Sequence, residues 1–182
     1  DEDGGEGLAE QNDNESDVRC LVVRGAGRAF SSGIDVSVFV SGGADGSGGS
    51  IANPDGIQRL QAGFNWLEDA PFPTVAALHG YAFGAGLQCA LACDIRVAQE
   101  GTTMGILELN FGIIPDLGGT QRLPRVVGVG KAKELIYTSA KIDAAEAYRI
   151  GLVERLVAES GFSDHVEALA AELASRAPLA VR

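Results

Sequence analysis

The sequence predicts an α/β fold in which helices pack on short buried strands, and three observations carry that prediction. Short apolar runs bounded by glycine or proline alternate with longer segments whose apolar residues recur at helical spacing. Hydrophobic residues make up 46% of the chain but aromatic ones only 6%, an aliphatic balance that suits helices on a sheet. Finally, the stretch PTVAALHGYAFGAGLQCALACD carries no formal charge from Pro73 until Asp94 and changes its period in the middle. Thr74 to Leu78 is a β-branched and apolar run behind Pro71 and Pro73, as a buried strand should be. Gly80, Gly84 and Gly86 follow, and then Leu87, Ala90 and Leu91 recur at helical spacing with Gln88 on a neighbouring face. A strand that passes through glycines into a buried helix aims backbone NH groups at whatever lies before the helix.

Other readings of this stretch fail on its composition. About twenty apolar residues would cross a bilayer, but three glycines, His79 and Gln88 interrupt the run and no basic flank follows it. A dinucleotide fingerprint needs a third glycine, and Gly84-Ala85-Gly86-Leu87-Gln88-Cys89 has only two.

At 182 residues the chain is long enough for one domain with a good core. The net charge of −11 is unevenly placed: residues 1–17 hold eight acids and no base, leaving −3 for the rest. Residues 1–17 are therefore expected to be a mobile acidic leader, and 18–182 the core domain. The only lysines are Lys131, Lys133 and Lys141, so no basic stripe for nucleic acid or anionic lipid exists. Cys20, Cys89 and Cys93 make an odd count without partnering histidines, which predicts small buried hydrophobes in a reducing compartment and no metal site. With no signal peptide visible, the expected location is the cytoplasm, or an organelle matrix if a targeting segment has been removed.

Along the chain, Val18 to Arg24 predicts a strand with Leu21, Val22 and Val23 as its buried run. A glycine turn then leads into Ala29 to Asp35, whose small residues allow a ligand close to the backbone. Ser41 to Ser50 predicts a mobile loop. Ile57 to Asp69 is an amphipathic helix with Ile57, Leu60, Phe64 and Leu67 on one side. Ile95 to Ala98 predicts a second strand, and Thr102 to Leu107 leads to a turn carrying Glu108, with Asp116 eight residues on. Acids in an apolar, glycine-rich loop are candidates for perturbed ionisation. Thr120 to Val127 comes next, followed by a helix from Lys131 to Thr138 set by the Gly128–Gly130 break. Asp143 to Ile150 predicts a capped helix with Asp143 and Glu146 as a capping box. Leu152 to Val157 predicts a return strand, and His165 to Ala174 a last amphipathic helix.

AFSSGID at Ala29–Asp35, HGYAFGAGLQCALACDIRVA at His79–Ala98, ELNFGIIPDLGGTQRLPRVVG at Glu108–Gly128 and KIDAAEAYRIGLVERLV at Lys141–Val157 together resemble the enoyl-CoA hydratase/isomerase (crotonase) superfamily. The resemblance implies a crotonase-like spiral of repeated ββα units, assembled as a homotrimer or hexamer, that binds acyl-CoA thioesters. It also implies no cofactor beyond the coenzyme A of the substrate. Full members have an opening hairpin and closing helices that this chain is expected to lack. The resemblance places two backbone donors of an oxyanion hole at Ile34 and Ala85, the latter at the start of the central helix. Arg28 becomes a candidate for a CoA phosphate, with Ala29, Ser32, Gly33, Asp35 and Gly84 lining the substrate path.

The acid/base set departs from the hydratase pattern, in which two glutamates hold a water. The first falls on Gln88, an amide that can orient water but cannot exchange a proton. The second falls on Glu108, and a third position, acidic in dienoyl-CoA isomerases, falls on Asp116. Moving a double bond needs one base that takes a proton at one carbon and returns it at another. The expectation is thus double-bond isomerisation by Glu108 assisted by Asp116. Hydration of a 2-enoyl-CoA with Gln88 orienting the water is the alternative, and a non-catalytic acyl-CoA-binding protein the alternative of another class. A Ser/His hydrolase using Ser31 or Ser32 with His79 or His165 lacks the GxSxG elbow.

Overall fold

A computed structural model of the chain describes residues 18–34 and 54–177. The acidic leader, the loop at 41–50 and Asp35 lie outside the described residues. The elements alternate between two sheets. β1 (Leu21–Arg24), β2 (Thr74–Leu78), β4 (Ile95–Gln99) and β7 (Arg155–Val157) form a parallel sheet in the order β1-β2-β4-β7. β3 (Tyr81–Phe83), β5 (Thr103–Gly105) and β6 (Ile142–Asp143) form the second sheet, β3 parallel to β5 and β6 antiparallel to it.

β2 and β4 of the first sheet each pass almost at once into a strand of the second and then into helical structure. β1 leads to a parallel bridge between Ser31 and Ala82 and later to α1 (Pro54–Glu68). β2 and β3 lead to α2 (Ala85–Leu91). β4 and β5 lead to a 3-10 turn at Glu108–Phe111, then to α3 (Gly119–Val127) and α4 (Val129–Thr138). α5 (Ala144–Arg149) follows β6, and α6 (Phe162–Ala174) follows β7. This is the expected spiral of ββα units.

Alternation along the strands builds a core on each face of the first sheet. Val75, Ala77 and Val97 pack with Val166 and Leu169 of α6. Ala76, Leu78 and Ala98 face Leu87, Ala90 and Leu91 of α2. β2 lies between two neighbours and is buried along its whole length, as its sequence predicts. β1 is shorter than expected, and Leu21, Val22 and Val23 are only half-buried, because β1 is the edge of its sheet. On α1, Ile57, Phe64 and Leu67 turn inward, but Leu60 is exposed and its place is taken by half-buried Gln61.

Several boundaries differ for local reasons. Tyr81–Phe83, expected to be part of a turn, pairs with β5 and brackets buried Ala82. α4 begins at Val129, so Gly130 lies inside its first turn and Gly128, at φ 81°, ends the preceding helix. Asp143 accepts from the Glu146 amide at 2.7 Å as an N-cap, but the Glu146 carboxylate turns to Arg149, so the capping box is half made. The return strand shrinks to Arg155–Val157 because Leu152 and Val153 are drawn into the core beside α5. Of the cysteines, Cys93 is buried, with its thiol pushed up to about 12 by burial, whereas Cys20 and Cys89 are half-buried. None of the described helices is long and apolar enough to cross a membrane.

The two glycine-rich turns cross with almost no space between them. Phe30 donates to the His79 carbonyl, Ser31 to that of Tyr81, and Phe83 back to Ser31, at 2.9, 3.1 and 3.0 Å. A Cβ on Gly80 would lie 2.2 Å from the Arg28 carbonyl oxygen, and one on Gly86 would lie 2.4 Å from the Cβ of Ser31. Gly86→Ala is expected to destabilise the fold by about 1–3 kcal/mol through overpacking. Ser31→Gly in the same chain should recover part of the loss, and urea unfolding of the single and double variants checks both.

Candidate active site

The crossing of the turns brings together the first set of expected site residues. Gly33, with φ 108°, packs against the chain entering α2: a Cβ there would lie 3.2 Å from the Phe83 carbonyl oxygen and 3.8 Å from the Ala85 nitrogen. Ile34 and Ala85 therefore border one cavity of about 300 Å³, together with Gly33, Ser31 and the apolar walls of Phe30 and Phe64. Neither the Ile34 nor the Ala85 amide donates to any group among the described residues. α2 spans seven residues, so any donation from its start is local to the Ala85 amide and owes little to a long helix dipole.

The second set lies across Gly84. A Cβ on Gly84 would sit 3.3 Å from Oε1 of Glu108, so the carboxylate rests directly over a glycine whose other neighbour is Ala85. The Glu108 side chain is buried and, among the described residues, meets one side-chain donor: Nε2 of Gln88 gives a hydrogen bond to Oε1 at 2.6 Å. Oε1 of Gln88 accepts in turn from the Gly119 amide at 2.9 Å. A Cβ on Gly119 would lie 2.8 Å from that same Gln88 oxygen, so glycine is required there. Oε2 of Glu108 is buried and has no partner among the described residues. Burial is the main reason its carboxyl is pushed above the ordinary carboxylate range. The hydrogen bonds, including that from Gln88, oppose the shift, and the charge of Asp116 adds to it.

Asp116 is half-buried on the loop between the 3-10 turn and α3, its main-chain oxygen accepting from Nε2 of Gln61 at 2.5 Å. Gln88, Glu108 and Asp116 are thus brought together, but they do not border the cavity that holds Ile34 and Ala85. Arg28, Ala29 and Ser32 do not border it either; Arg28 is exposed and Ala29 buried. Asp35 lies outside the described residues. Arg24, not singled out by the sequence reading, is the cation on the cavity rim, and only its place at the end of β1 hinted at this. Gly119 and Arg122 were also not singled out as site residues, though the glycine pair at 118 and 119, three residues before an arginine, was a signal. The histidines serve no serine: Nε2 of His79 lies 3.1 Å from the Gly27 carbonyl oxygen and that of His165 3.1 Å from Arg155, while Oγ of Ser31 accepts from the Gly33 amide. Among the described residues no group of His, Cys, Asp or Glu is placed to hold a metal.

A ββα spiral, with the Ile34 and Ala85 amides at one cavity and unengaged among the described residues, and with the buried Glu108 carboxylate against Gly84, defines an α/β protein of the crotonase fold. The chain belongs to the enoyl-CoA hydratase/isomerase family, whose model matches residues 7–182. It is similar to the short-chain-enoyl-CoA hydratase of Clostridium acetobutylicum, 38% identical over 177 residues that cover 93% of this chain and 63% of that protein. Among solved structures it is similar to an enoyl-CoA hydratase of Bacillus anthracis, with TM-score 0.82 and 36% identity, covering 92% of this chain and 63% of that one. A Thermobifida fusca protein assigned to the enoyl-CoA hydratases, solved in complex with acetoacetyl-CoA, is 41% identical with TM-score 0.83, covering 90% and 66%. The chain therefore spans less than two thirds of the length of these relatives.

The raised Glu108 pKa fixes a pH dependence. Between the unfolded value, about 4.3, and the higher folded value, the folded state keeps a proton that the unfolded state has lost, so stability falls as pH rises through that interval. Glu108→Gln is expected to flatten this part of the profile, read as melting temperature against pH in both proteins.

Proposed function

We propose that the protein moves the double bond of an unsaturated acyl-CoA thioester, with Glu108 as the acid/base. The observation that carries this reading is a buried carboxylate, bonded on one oxygen and without a partner on the other among the described residues, where hydratases of the family are expected to hold a glutamate pair. Gln88 stands at the first position of that pair, and both its amide ends are engaged, one by Glu108 and one by Gly119. An amide so held can set the orientation of a base but has no proton to exchange.

In the proposed reaction Oε2 of Glu108 removes a proton from the carbon next to the thioester carbonyl of a 3-enoyl-CoA. The electron pair released forms the new carbon–carbon double bond of a dienolate, and the charge moves to the thioester oxygen. The Ile34 and Ala85 amides donate to that oxygen, a contribution of about 3 kcal/mol per donor in sites of this type. Glu108 then returns the proton two carbons further along, giving the conjugated 2-enoyl ester. A carboxyl with a raised pKa suits both halves, since it holds a proton more readily than an ordinary carboxylate and still releases it. Asp116 assists by keeping negative charge beside it. Arg24 or Arg28 would meet the phosphates of coenzyme A.

A second reading, hydration of a 2-enoyl-CoA with Gln88 orienting the water, is favoured by the names of the relatives. The two separate on one assay. Glu108→Gln is expected to abolish conversion of a 3-enoyl-CoA to its conjugated isomer, with binding of the ester kept, whereas Gln88→Glu should create or raise hydration of a 2-enoyl-CoA. Both are followed through the absorbance of the conjugated thioester. Unchanged isomerisation in Glu108→Gln would sink the mechanism, and tight ester binding without turnover of any enoyl ester would mark a binding protein.

A further inference from the structure

One face of α1 is polar where it crosses the loop before α3. Gln61, Asn65 and Glu68 recur at intervals of four and three, so they share that face. Gln61 donates to the main-chain oxygen of Asp116. Asn65 and Glu68 both accept from Arg122, a buried side chain on α3. Its Nη2 reaches Oδ1 of Asn65 and Oε2 of Glu68 at 2.7 Å each, and its Nε reaches the same Glu68 oxygen at 2.9 Å. The remaining arm, Nη1, donates to the Leu117 carbonyl at 3.1 Å. The Nη1 end of the guanidinium sits against Gly118, where φ is 95° and a Cβ would be 1.9 Å from Nη1. The next residue, Gly119, gives the amide that holds Gln88.

We infer that Arg122 is a positioning residue: by tying the Leu117–Gly119 main chain to the polar face of α1, it fixes the Gly119 amide that orients Gln88 and, through Gln88, the Glu108 carboxylate. This rests on the reading of Glu108 as the acid/base. A glutamine amide has a donor end and an acceptor end of nearly the same shape. The Gly119 amide, as a donor, selects the orientation that turns Nε2 to Glu108; the flipped amide would set oxygen against carboxylate oxygen. The choice depends on the amide staying within 2.9 Å of Gln88, and the loop that carries it has glycines at both 118 and 119. A planar fork that meets three separate acceptors can hold such a loop, and a lysine cannot. The charged group that bears on Glu108 is Asp116 from the same loop. Lys131, Lys133 and Glu134 lie on α4, which packs against the 3-10 turn.

The test loosens the clamp from its exposed end and leaves buried Arg122 in place. Asn65→Ala with Glu68→Gln is made in the natural chain and again in Gln88→Ala, with Arg122→Lys as an independent variant. Turnover of a 3-enoyl-CoA is measured in each, and the Glu108 carboxyl is titrated by carbon NMR. In the natural background kcat should fall by on the order of 10- to 100-fold with KM within about twofold, as for displaced catalytic geometry, and the Glu108 titration should move to higher pH. Arg122→Lys should do the same. In Gln88→Ala the same changes should add nothing to either reading, because coupling through Gln88 has already been lost. Equal losses in both backgrounds, or an unmoved Glu108 titration in folded Asn65→Ala/Glu68→Gln protein, would overturn the inference. The titration does not depend on turnover, so failure of the acid/base reading, seen as an active Glu108→Gln enzyme, stays distinguishable from failure of the clamp.

Discussion

Two stretches of main chain, 25–33 and 80–86, lie closer together than side chains allow, and both the fold and the site depend on that contact. Gly80 and Gly86 face the Arg28 carbonyl oxygen and the Ser31 Cβ at 2.2 and 2.4 Å from where their own Cβ would stand. Such an approach gives up the packing that side chains would supply and puts amide hydrogens at the surface of the contact. The amides that meet a partner strand are used there, as with Ser31 and Phe83. Those just beyond, at Ile34 and Ala85, meet no acceptor among the described residues. The same close packing that joins the two sheets therefore places both amides at one cavity.

The spiral topology explains why an acid can stand so near. Because β2 and β4 of the first sheet are each followed almost directly by a strand of the second, the ends of these successive units stack. Gly84 closes one unit with φ 54°, and its amide donates to the carbonyl of Gly105 at the end of the next. Three residues after Gly105 the 3-10 turn delivers Glu108 onto the face of Gly84. A carboxylate buried there with one hydrogen bond is costly to ionise, which is why its pKa rises. Natural folds keep such groups where chemistry uses them, and the neutral Gln88 beside it supplies a donor without a second charge.

In this chain the neighbour that donates to the Glu108 carboxylate is an amide, Gln88. A second carboxylate at 2.6 Å would share one proton with Glu108, as two acids so close cannot both ionise. On the proposed reading the amide removes that competition and leaves a single base, whose orientation rests on the Gly119 amide and on the contacts from α1 that hold its loop.

The sequence by itself determined the α/β class, the buried central strand, the break into α2 at Ala85 and the capping of α5 by Asp143, because each depends on local periodicity, glycine freedom or a side chain three residues from its partner. It also showed the family, since the motifs that carry the resemblance are contiguous. Only the tertiary structure decided that β1 is an edge strand with half-buried residues, that Tyr81–Phe83 is a strand of a second sheet, and that Leu60 faces outward while Gln61 faces in. These depend on neighbours far along the chain, which periodicity within a segment does not encode. The clamp from α1 through Arg122 to Gly119 is of the same kind: its members are 54 and 57 residues apart, and only packing puts them within hydrogen-bond reach.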